Sequence, residues 1–563
     1  MSIDAPLHFD DEYRIAKDEA AREMTINAKL ATDKEHKMSL MQGLRLYPKA
    51  IAWSILISTC ICMEGYDVCL LSNFYAFPQF NAKYGKQLPD GTFQVPAPWQ
   101  AGLSNGANVG EILGLFLNGW VSERFGYRYT VMACLICLIG FQTIFFTARN
   151  VVDLQIAEIL CGVPWGVFQT LTITYASEVA PVALRGYLTT YVNFCWGLGQ
   201  TIGIGVIKSM LPRTDEWAYR IPYGLQWMWP VPLLVGIALA PESPWWLVRR
   251  GRVEEAKRSV ERLTSKGRQE KAGEEFDVDE TIAMMRHTTM LEEKITRGAT
   301  YLDCFKGHDL RRTEIVCMVW AMQNLAGNSF TGYSTYFLEQ AGLAPDKSYD
   351  FALGQYAINC VGVFGAWFLM SRGVGRRALY LYGLIGLCTI LLCLGFLGLA
   401  PERHRDNAAL ATGALMLVWA GIYQCTVGTV CYSLVGELST RRLSVKTVVL
   451  GRNLYNVVGI ICSVLTPYML NPGSWNWGNY TGFFWGGICA GCVVYTYYRV
   501  PEPQGRSFAE LDLLFEKGVS ARDFAKTRVD VFGDEVRVHG GESEKDGQRE
   551  EGKGMEERDE KTT

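Results

Sequence analysis

The sequence predicts an all-α membrane protein with twelve transmembrane helices in two pseudo-symmetric six-helix bundles. Three observations predict this fold: apolar segments recur at the length of a membrane span, polar blocks separate them into groups, and short motifs repeat between the two halves. Of the 563 residues, 49% are hydrophobic. The mean hydropathy is only +0.07, because the polar blocks dilute the apolar segments.

Twelve apolar segments follow one another along the chain, and each is close to the roughly 20 residues that cross a bilayer as a helix. Six of them precede a charged central stretch and six follow it. The segments lie near residues 51–75, 101–122, 129–147, 154–176, 187–211, 225–240, 313–338, 351–371, 378–399, 410–435, 445–470 and 480–499.

The polar blocks set the predicted domain boundaries. Residues 1–48 form an N-terminal arm, and residues 241–312 form a central loop with short helices. Residues 502–563 form a tail that is mostly disordered, because its end is too charged and too poor in apolar residues to fold alone. The first six-helix bundle then spans residues 49–240, and the second spans residues 313–501.

Short motifs of the first bundle reappear in the second. Ser122–Arg128 (SERFGYR) resembles Ser371–Arg377 (SRGVGRR), and the Pro-Glu pair at 241–242 returns at 501–502. These matches are offset by about 250–260 residues, which favours a duplicated six-helix unit. Parallel repeats of this kind place a binding site near the membrane midplane, between the two bundles.

The charge distribution sets the predicted orientation. The formal net charge is -3, and this near-neutral balance argues against a nucleic-acid partner. Dense clusters of Lys and Arg occur in short loops on the side that also carries both termini and the central loop, and such loops stay cytoplasmic. We therefore expect a multi-pass protein with both termini in the cytoplasm.

The sequence indicates neither cofactor chemistry nor catalysis. The 17 Cys residues are scattered, most of them in apolar runs, with no metal-ligand spacing and no disulfide framework. No phosphate-binding loop or nucleophile constellation stands out. We expect a protein that uses no cofactor or metal and is not an enzyme.

Charged residues inside the apolar segments are the first candidate functional group. Glu64 and Asp67 lie three apart in the first segment and therefore on one helix face. Glu111 in the second segment and Arg452 in the eleventh add an acid and a counter-charge. A carboxylate at mid-membrane costs about 2.5–3.5 kcal/mol, so it normally faces a water-filled cavity or a partner. We predict that the acids of the first segment form a proton site in a transport pathway; alternatively, one of them is neutral and only hydrogen-bonded to a neighbouring helix.

A combination of motifs carries a family resemblance, which extends from about Ala50 to Lys517. The chain resembles the sugar porter family of the major facilitator superfamily. Within that family it is most similar to the fungal α-glucoside (maltose-type) permeases, through MEGYD in the first segment and GVPWGVFQTLTITYASEVAP in the fourth. The family motifs are GWVSERFGYR from Gly119, SEVAPVALRG from Ser177, PESPWWLVRRGR from Pro241, QNLAGNSFTGY from Gln323 and PEPQGRSFAELDLLFEKG from Pro501.

The resemblance implies a proton-coupled symporter that imports an α-glucoside such as maltose by alternating access across the plasma membrane. Its partners would be the sugar, the proton and the lipid bilayer, and it would function as a monomer. Three alternatives stay open: a hexose carrier, a carrier of another disaccharide, either of them coupled or facilitative, and a sugar sensor that does not transport.

The resemblance also implies charged latches between helix ends on the cytoplasmic side. Such a latch holds while the binding site faces outward and breaks when it opens inward; alternatively, the positive charges serve topology alone. Ser371 stands where an acid is expected, so the second-half latch is predicted to be weaker or built differently. The predicted latch residues are Glu123, Arg124, Arg128, Glu178, Arg185, Glu242, Arg372, Arg376, Glu437, Arg441 and Glu502.

Polar residues of the apolar segments are the predicted sugar contacts. Amide groups both donate and accept, as sugar hydroxyls do, although polar residues also hold membrane helices together at about 0.6 kcal/mol each. Ser329 stands where the family carries Asn, which fits a pocket altered for a larger sugar. The predicted set is Asn193, Gln200, Gln323, Asn324, Ser329, Tyr333, Asn359, Tyr432 and Asn456.

One departure from the family affects the proton site. In proton-linked sugar porters the Asp of the first helix commonly faces an Arg of the fourth, but the matching position here is Glu158. The usual pair cannot form, which leaves an acid cluster of Glu64, Asp67 and Glu111 with Arg452 as counter-charge. The resemblance implies that these four residues couple transport to protons. Glu158 itself is kept outside the predicted group, because a position near a helix end would give it a structural role.

Overall fold

The computed structural model is almost entirely helical. Long helices follow one another along the chain, and short strands form two two-stranded sheets in the described residues. The structure describes residues 26–27, 30–31, 34, 38–87, 91–265, 277–296, 300–340, 343–399, 405–440, 443–471, 474–504, 506, 508–530 and 535–538.

Six helical segments form the first half of the bundle. α1 is interrupted at Thr59, and a 3-10 turn interrupts α6. The segments are α1 (Pro48–Phe74), α2 (Ala97–Phe125), α3 (Tyr127–Thr147), α4 (Val151–Val179), α5 (Val182–Met210) and α6 (Trp217–Leu225, Gln226–Met228 and Pro230–Leu239).

Six further segments form the second half. Two of them, α7 and α10, contain a π-helical turn. The segments are α7 (Gly307–Gln323, the π turn Asn324–Asn328, Ser329–Gly332 and Ser334–Gln340), α8 (Pro345–Ser371), α9 (Arg376–Leu397), α10 (Arg405–Tyr423, the π turn Gln424–Gly428 and Thr429–Leu438), α11 (Ser444–Leu470) and α12 (Thr481–Arg499).

The helical segments in the described part of the chain follow the order of the predicted ones. By length and composition, seven are long and apolar enough to cross a membrane: α1, α3, α4, α8, α9, α10 and α11. The sixth segment begins at Trp217, earlier than the predicted start near residue 225. The predicted domain boundaries stay predictions.

Small residues bring α2 and α4 into direct backbone contact. A Cβ atom added to Gly114 would lie 2.1 Å from the carbonyl oxygen of Val163, and one added to Gly166 would lie 2.3 Å from that of Glu111. Small residues spaced four apart are typical of membrane-helix interfaces, because they let two backbones approach closely. This contact fixes Glu111 against the middle of α4.

Helix irregularities concentrate near the middle of the bundle. In the π turn of α7, Gly327 has a φ of 95°, a left-handed conformation that glycine adopts without a Cβ penalty. The second π turn lies at Gln424–Gly428 in α10, and Pro164 lies inside α4. π turns are frequent at functional sites, and interrupted helices surround the binding sites of many transporters.

One end of the bundle, called the terminal face here, carries the chain-terminal segments and the central loop. The backbone N–H of Ser265 donates to the carbonyl of Leu46 over 3.2 Å, and Arg312 pairs with Asp512. The short helices on this face are Leu40–Leu46, Pro244–Arg249, Val253–Leu263, Val278–Thr296, Tyr301–Phe305, Phe508–Glu516 and Phe524–Lys526.

The opposite end, called the distal face, carries the connection between α1 and α2. This connection contains the helix Pro78–Tyr84 and the antiparallel strands Lys86–Gln87 and Phe93–Gln94. A second antiparallel pair, Thr527–Asp530 with Glu535–Val538, follows the last helix. The tail that was predicted to be mostly disordered therefore has regular structure in its described part.

Candidate functional site

Charged and amide side chains from four helices meet in the middle of the bundle. Gln169 in α4 donates from Nε2 to Oε1 of Glu64 in α1 over 2.8 Å. Arg452 in α11 donates from Nε to Oε1 of the same amide over 3.0 Å. Glu111 in α2 interacts electrostatically with both Glu64 and Arg452. The structure therefore brings three of the four predicted proton-coupling residues together around Gln169.

Aromatic rings surround the guanidinium group of this centre. Arg452 Cζ lies 4.4 Å from the ring centroid of Tyr455 and 5.1 Å from that of Trp320. Tyr432 packs edge-on against Trp320, with 4.9 Å between ring centroids. A desolvated cation gains about 2 kcal/mol from such ring faces. Because Arg452 belongs to the second half and Gln169 to the first, this centre joins the two halves.

Asp67, the fourth predicted member, has different neighbours. Its Oδ1 accepts a hydrogen bond from Gln226 in α6, and its Oδ2 is buried with no partner among the described residues. Glu158 in α4 interacts electrostatically with it. Three residues along a helix leave about 60° between two side chains, which here separates the partners of Asp67 from those of Glu64. The predicted single acid cluster is therefore two groups.

Four predicted sugar-contacting amides have buried polar atoms that no described protein group satisfies. These are Nδ2 of Asn193, Oε1 of Gln200, Oδ1 of Asn359, and both Oδ1 and Nδ2 of Asn456. Leaving such a group unpaired in a protein interior costs about 1–3 kcal/mol. Donors and acceptors occur together in this set, which fits a ligand whose hydroxyls do both.

The amides of α5 and α8 lie along a lateral contact between the halves. Thr201 Oγ1 in α5 lies 3.5 Å from Cys360 Sγ in α8, next to Asn359. Toward the terminal face, Trp367 Nε1 donates to Thr190 Oγ1 over 2.8 Å. A ligand bound to these amides would therefore touch both halves at once.

The side-chain amides of two predicted sugar contacts donate hydrogen bonds to the protein's own backbone. Gln323 Nε2 donates to the carbonyl of Gly428 in the π turn of α10, and Asn324 Nδ2 donates to the carbonyl of Tyr455 in α11, each over 3.0 Å. Both amides brace the irregular part of α7 against neighbouring helices. This is the bridging role that polar groups often have between membrane helices.

The remaining three predicted contacts divide between two places. Ser329 lies within hydrogen-bonding reach of Cys462 in α11, and Tyr432 packs on Trp320 beside the central guanidinium. Tyr333 lies at the distal face, where its hydroxyl contacts that of Ser104.

At the distal face, Asn73 near the end of α1 joins the first half to the second. Thr335 Oγ1 in α7 donates to the side-chain oxygen of Asn73 over 2.5 Å. The hydroxyl of Tyr349 in α8 donates to the backbone carbonyl of the same residue over 2.9 Å. Asn73 is 2% exposed, so this junction is buried.

Further contacts close the same face. The hydroxyls of Tyr333 in α7 and Ser104 in α2 lie 2.8 Å apart, and the Tyr333 ring stacks on Tyr75 with 6.1 Å between centroids. Lys208 in α5 forms an ion pair with Asp350 in α8. The two halves therefore meet at the distal face through hydrogen bonds, stacked rings and an ion pair.

At the terminal face, two glutamates cap equivalent helices. Glu242 accepts from the backbone N–H groups of residues 127 and 128 at the start of α3, over 3.0 and 3.2 Å. Glu502 accepts from those of residues 376 and 377 at the start of α9, over 2.9 and 3.1 Å. An anion there satisfies N–H groups that have no partner within the helix. Burial raises the pKa of Glu242, and these N–H groups oppose the shift.

Two of the predicted latch acids form ion pairs with arginines at the terminal face. Glu178 forms an ion pair with Arg249 of the central loop over 2.7 Å, whereas Nε of Arg185 has no partner among the described residues. Glu437 pairs with Arg376 over 2.9 Å. The second-half pair is built differently from the first, because its cation comes from the start of α9.

The other latch residues contact their immediate surroundings. Arg124 and Arg372 each lie over an aromatic ring close in sequence, 5.8 and 4.9 Å from its centroid. The backbone carbonyl of Glu123 accepts from Nε of Arg250 over 3.1 Å. Arg441 lies outside the described residues. Where the structure describes them, the latch residues pair with no charge of the other half.

Several residues of the site were absent from the predicted groups. Gln169, Gln226 and Asn73 are amides inside apolar segments, the same signal that selected the sugar contacts. The sequence does not show how each helix is rotated, and therefore does not show which neighbouring helix these side chains face. Glu158, expected near a helix end, lies inside α4 and is 1% exposed, which does not support a role at a helix terminus.

The fold and the site define a multi-pass membrane transporter with a buried acid–arginine centre between two helical halves. The sugar transporter family, described as "Sugar (and other) transporter", matches residues 53–515. The chain belongs to this family.

Relatives of known activity are similar over most of the chain. The general alpha-glucoside permease of Saccharomyces cerevisiae (strain ATCC 204508 / S288c) is 41% identical over 513 residues, which cover 90% of this chain and 82% of the relative. The maltose permease MAL61 of Saccharomyces cerevisiae is 42% identical over 510 residues, with the same coverage of 90% and 82%. These similarities confirm the predicted resemblance to fungal α-glucoside permeases.

Solved structures confirm the fold class. The xylose transporter XylE from E. coli, in a partially occluded inward open conformation, superimposes with a TM-score of 0.66 at 17% identity, covering 82% of this chain and 100% of that chain. XylE, described as a major facilitator superfamily proton:xylose symporter and bound to 6-bromo-6-deoxy-D-glucose, gives 0.66 at 20% identity, covering 84% and 100%. The chain has the major facilitator fold.

Proposed function

We propose that this protein is a proton-coupled symporter that imports an α-glucoside such as maltose. Its relatives are named α-glucoside and maltose permeases, and a structural neighbour is a proton:xylose symporter. One structural observation carries the coupling. The hydrogen-bonded chain from Glu64 through Gln169 to Arg452 links a buried acid of one half to a buried cation of the other.

The coupling follows from the charge of this centre. While Glu64 and Glu111 are ionised, their attraction to Arg452 holds the halves together at the midplane. At an effective dielectric constant near 20, two unit charges about 6 Å apart, which leaves room for a bridging amide, attract by about 3 kcal/mol. Protonation removes that attraction and changes the balance between the two arrangements of the halves by about a hundredfold. A proton taken up on one side therefore changes which side is open.

The sugar would bind beside this centre. The buried amides of α5, α8 and α11 offer unpaired donors and acceptors, and the rings around Arg452 offer apolar faces. Because these groups belong to both halves, a bound sugar changes its contacts when the halves rock. Differential contacts of this kind are what a ligand needs to shift a conformational equilibrium.

We infer that the binding site of the described conformation is directed to the terminal face. The distal face is closed by contacts between α1, α2, α7 and α8. At the terminal face the described latch acids pair within their own half. With the terminal face in the cytoplasm, this is an inward-facing state. The latch proposal then requires these pairs to change partners when the cytoplasmic side closes.

Orientation and assembly are part of the same proposal. The terminal face carries the dense Lys and Arg clusters, which favours a cytoplasmic location for both termini. All members of the acid–arginine centre come from one chain, so a monomer contains a complete site. We place the protein in the plasma membrane, where an external α-glucoside and an inward proton gradient are both present.

The test is radiolabelled maltose uptake by the full chain in a yeast strain without maltose transporters. We expect accumulation that a protonophore abolishes and that Asp67→Asn strongly lowers. Maltose uptake insensitive to both treatments would leave a facilitator. Absence of maltose uptake by a correctly localised protein would point to another sugar or to sensing, which a panel of glucose, sucrose and trehalose uptake assays separates.

A further inference from the structure

Two buried acids of the first half form a group that the acid–arginine centre does not include. Asp67 and Glu158 are each 1% exposed and interact electrostatically. Each has one carboxyl oxygen, Oδ2 of Asp67 and Oε1 of Glu158, that is buried without a partner among the described residues. The remaining oxygen of Asp67 accepts from the neutral amide of Gln226.

No cation faces this pair within the described part of the chain. Arg452 interacts with Glu64 and Glu111 instead. Among the described residues, the titratable groups in electrostatic contact with Glu158 are neutral or acidic. These groups are Asp67 from α1, Tyr75 directly after α1, Glu111 from α2, Cys161 from α4 and Tyr223 from α6.

Two carboxylates in such surroundings cannot both stay ionised at low cost. Burial disfavours the charge of each acid, and like charges at close range disfavour it further. We propose that Asp67 and Glu158 share a single proton and form the outer of two proton stations in the transport path. This inference rests on the proposed proton symport and assigns Glu158 a role that the usual pairing of the family does not contain.

The position of the pair fits an outer station. Glu158 lies seven residues after Val151, where α4 begins at the distal face, or about 10 Å along the helix axis. Gln169 lies about 16 Å deeper on the same helix. Tyr75, which stacks on Tyr333 in the distal closure, interacts electrostatically with Glu158. The pair is therefore located directly behind the closed distal face.

The proton path has two transfers. When the distal face opens, a hydronium ion outside gives its proton to a carboxylate oxygen of the pair, and an O–H bond forms there. That bond then breaks as the proton passes to Glu111, which interacts electrostatically with Glu158 and with Arg452. Release to cytoplasmic water completes the path, so no further reactant is needed.

The test compares Glu158→Gln with the wild type, using the full chain in yeast without maltose transporters. Gln has the shape of a protonated Glu but cannot release a proton. We expect the accumulation ratio of maltose to fall by about tenfold or more, and sugar-dependent alkalinisation of the medium to disappear. Exchange of internal for external maltose at equal pH should persist, because it needs no net proton movement. Glu158→Asp should restore part of the accumulation.

Gln155→Ala is the matched control. Gln155 lies in the same helix and packs, like Glu158, against Gly106 of α2, but it carries no acid. This variant should accumulate maltose within about twofold of the wild type. Plasma-membrane abundance is measured for every variant, so that loss of protein is separated from loss of coupling.

A double variant tests whether the proton is shared. If Asp67 and Glu158 hold one proton together, Asp67→Asn with Glu158→Gln should lower accumulation no further than the larger single effect. Additive losses would overturn sharing. A Glu158→Gln variant with unchanged alkalinisation would overturn the role of Glu158 while leaving symport intact. A wild type without sugar-dependent alkalinisation would instead overturn the proposed function, and the inference with it.

Discussion

The two groups of buried acids differ in whether a cation lies beside them. Glu64 and Glu111 share a cation, Arg452, which comes from the other half of the molecule. Asp67 and Glu158 have no cation among the described residues and lie wholly within the first half. Movement of the halves therefore changes the environment of the first group directly, whereas the second responds to access from the distal face. In the proposed mechanism, the first group couples the halves and the second group takes up the external proton.

Removal of the shared cation gives the largest expected effect. Arg452→Gln leaves buried acids without their counter-charge, which costs about 3–5 kcal/mol. Initial maltose uptake, normalised to the amount of protein at the plasma membrane, should fall by more than about a hundredfold. Arg452→Lys keeps the charge without the planar fork and should retain more uptake than Arg452→Gln. Wild-type uptake by Arg452→Gln would show that the cation does not connect the halves.

A second variant isolates the bridge between acid and cation. Gln169→Leu keeps both charges and removes the amide that links them, at about 1.5–3 kcal/mol for hydrogen bonds to charged groups. We expect uptake to fall by about tenfold to a hundredfold, with Gln155→Leu in the same helix as the control. The bridge would be dispensable if the two variants transported equally well.

The unpaired amides sharpen the account of the substrate site. Asn456→Ala should raise the KM for maltose by about tenfold, because one lost hydrogen bond to a ligand costs about 1.5 kcal/mol. Gln323→Ala should instead lower thermal stability, since its amide bonds the carbonyl of Gly428. Uptake kinetics and the thermal midpoint of the purified proteins check the pair. Equal effects of both variants on KM would contradict the assignment of Asn456 to the ligand and of Gln323 to helix packing.

The smallest effect is expected at the distal closure, behind which Asp67 and Glu158 lie. Asn73→Ala removes the side-chain bond to Thr335 but keeps the backbone bond to Tyr349. The loss of about 1 kcal/mol should raise the population of the open distal face about fivefold. The rate of hydrogen exchange in the Ser334–Gln340 peptide measures this population. An unchanged rate would show that the side-chain bond between Asn73 and Thr335 does not stabilise the closed distal face.

Much of the fold follows from sequence because it depends on local properties. Twelve apolar stretches of the right length and a repeated Pro-Glu motif predict the helices and their pseudo-symmetry. Glu64, Glu111 and Arg452 could be selected because a charge in an apolar helix is costly wherever it points. These signals need no knowledge of neighbouring helices.

The partners could not be predicted, because they depend on helix rotation and on contacts far apart in sequence. Asp67 and Glu64 contact different residues because their side chains point about 60° apart around the axis of α1. Glu178 pairs with Arg249, 71 residues away in sequence, because the central loop folds back against α4. Gln169 carries no charge, so nothing in its own segment sets it apart from other amides.

The most direct test of proton symport uses the purified full chain in liposomes that contain a pH-sensitive dye. With equal pH on both sides and a valinomycin–potassium clamp on the voltage, maltose is added outside. The account predicts acidification of the interior that depends on maltose and disappears in Arg452→Gln. Entry of radiolabelled maltose at a normal rate without acidification would contradict it, because the sugar would then cross without a proton.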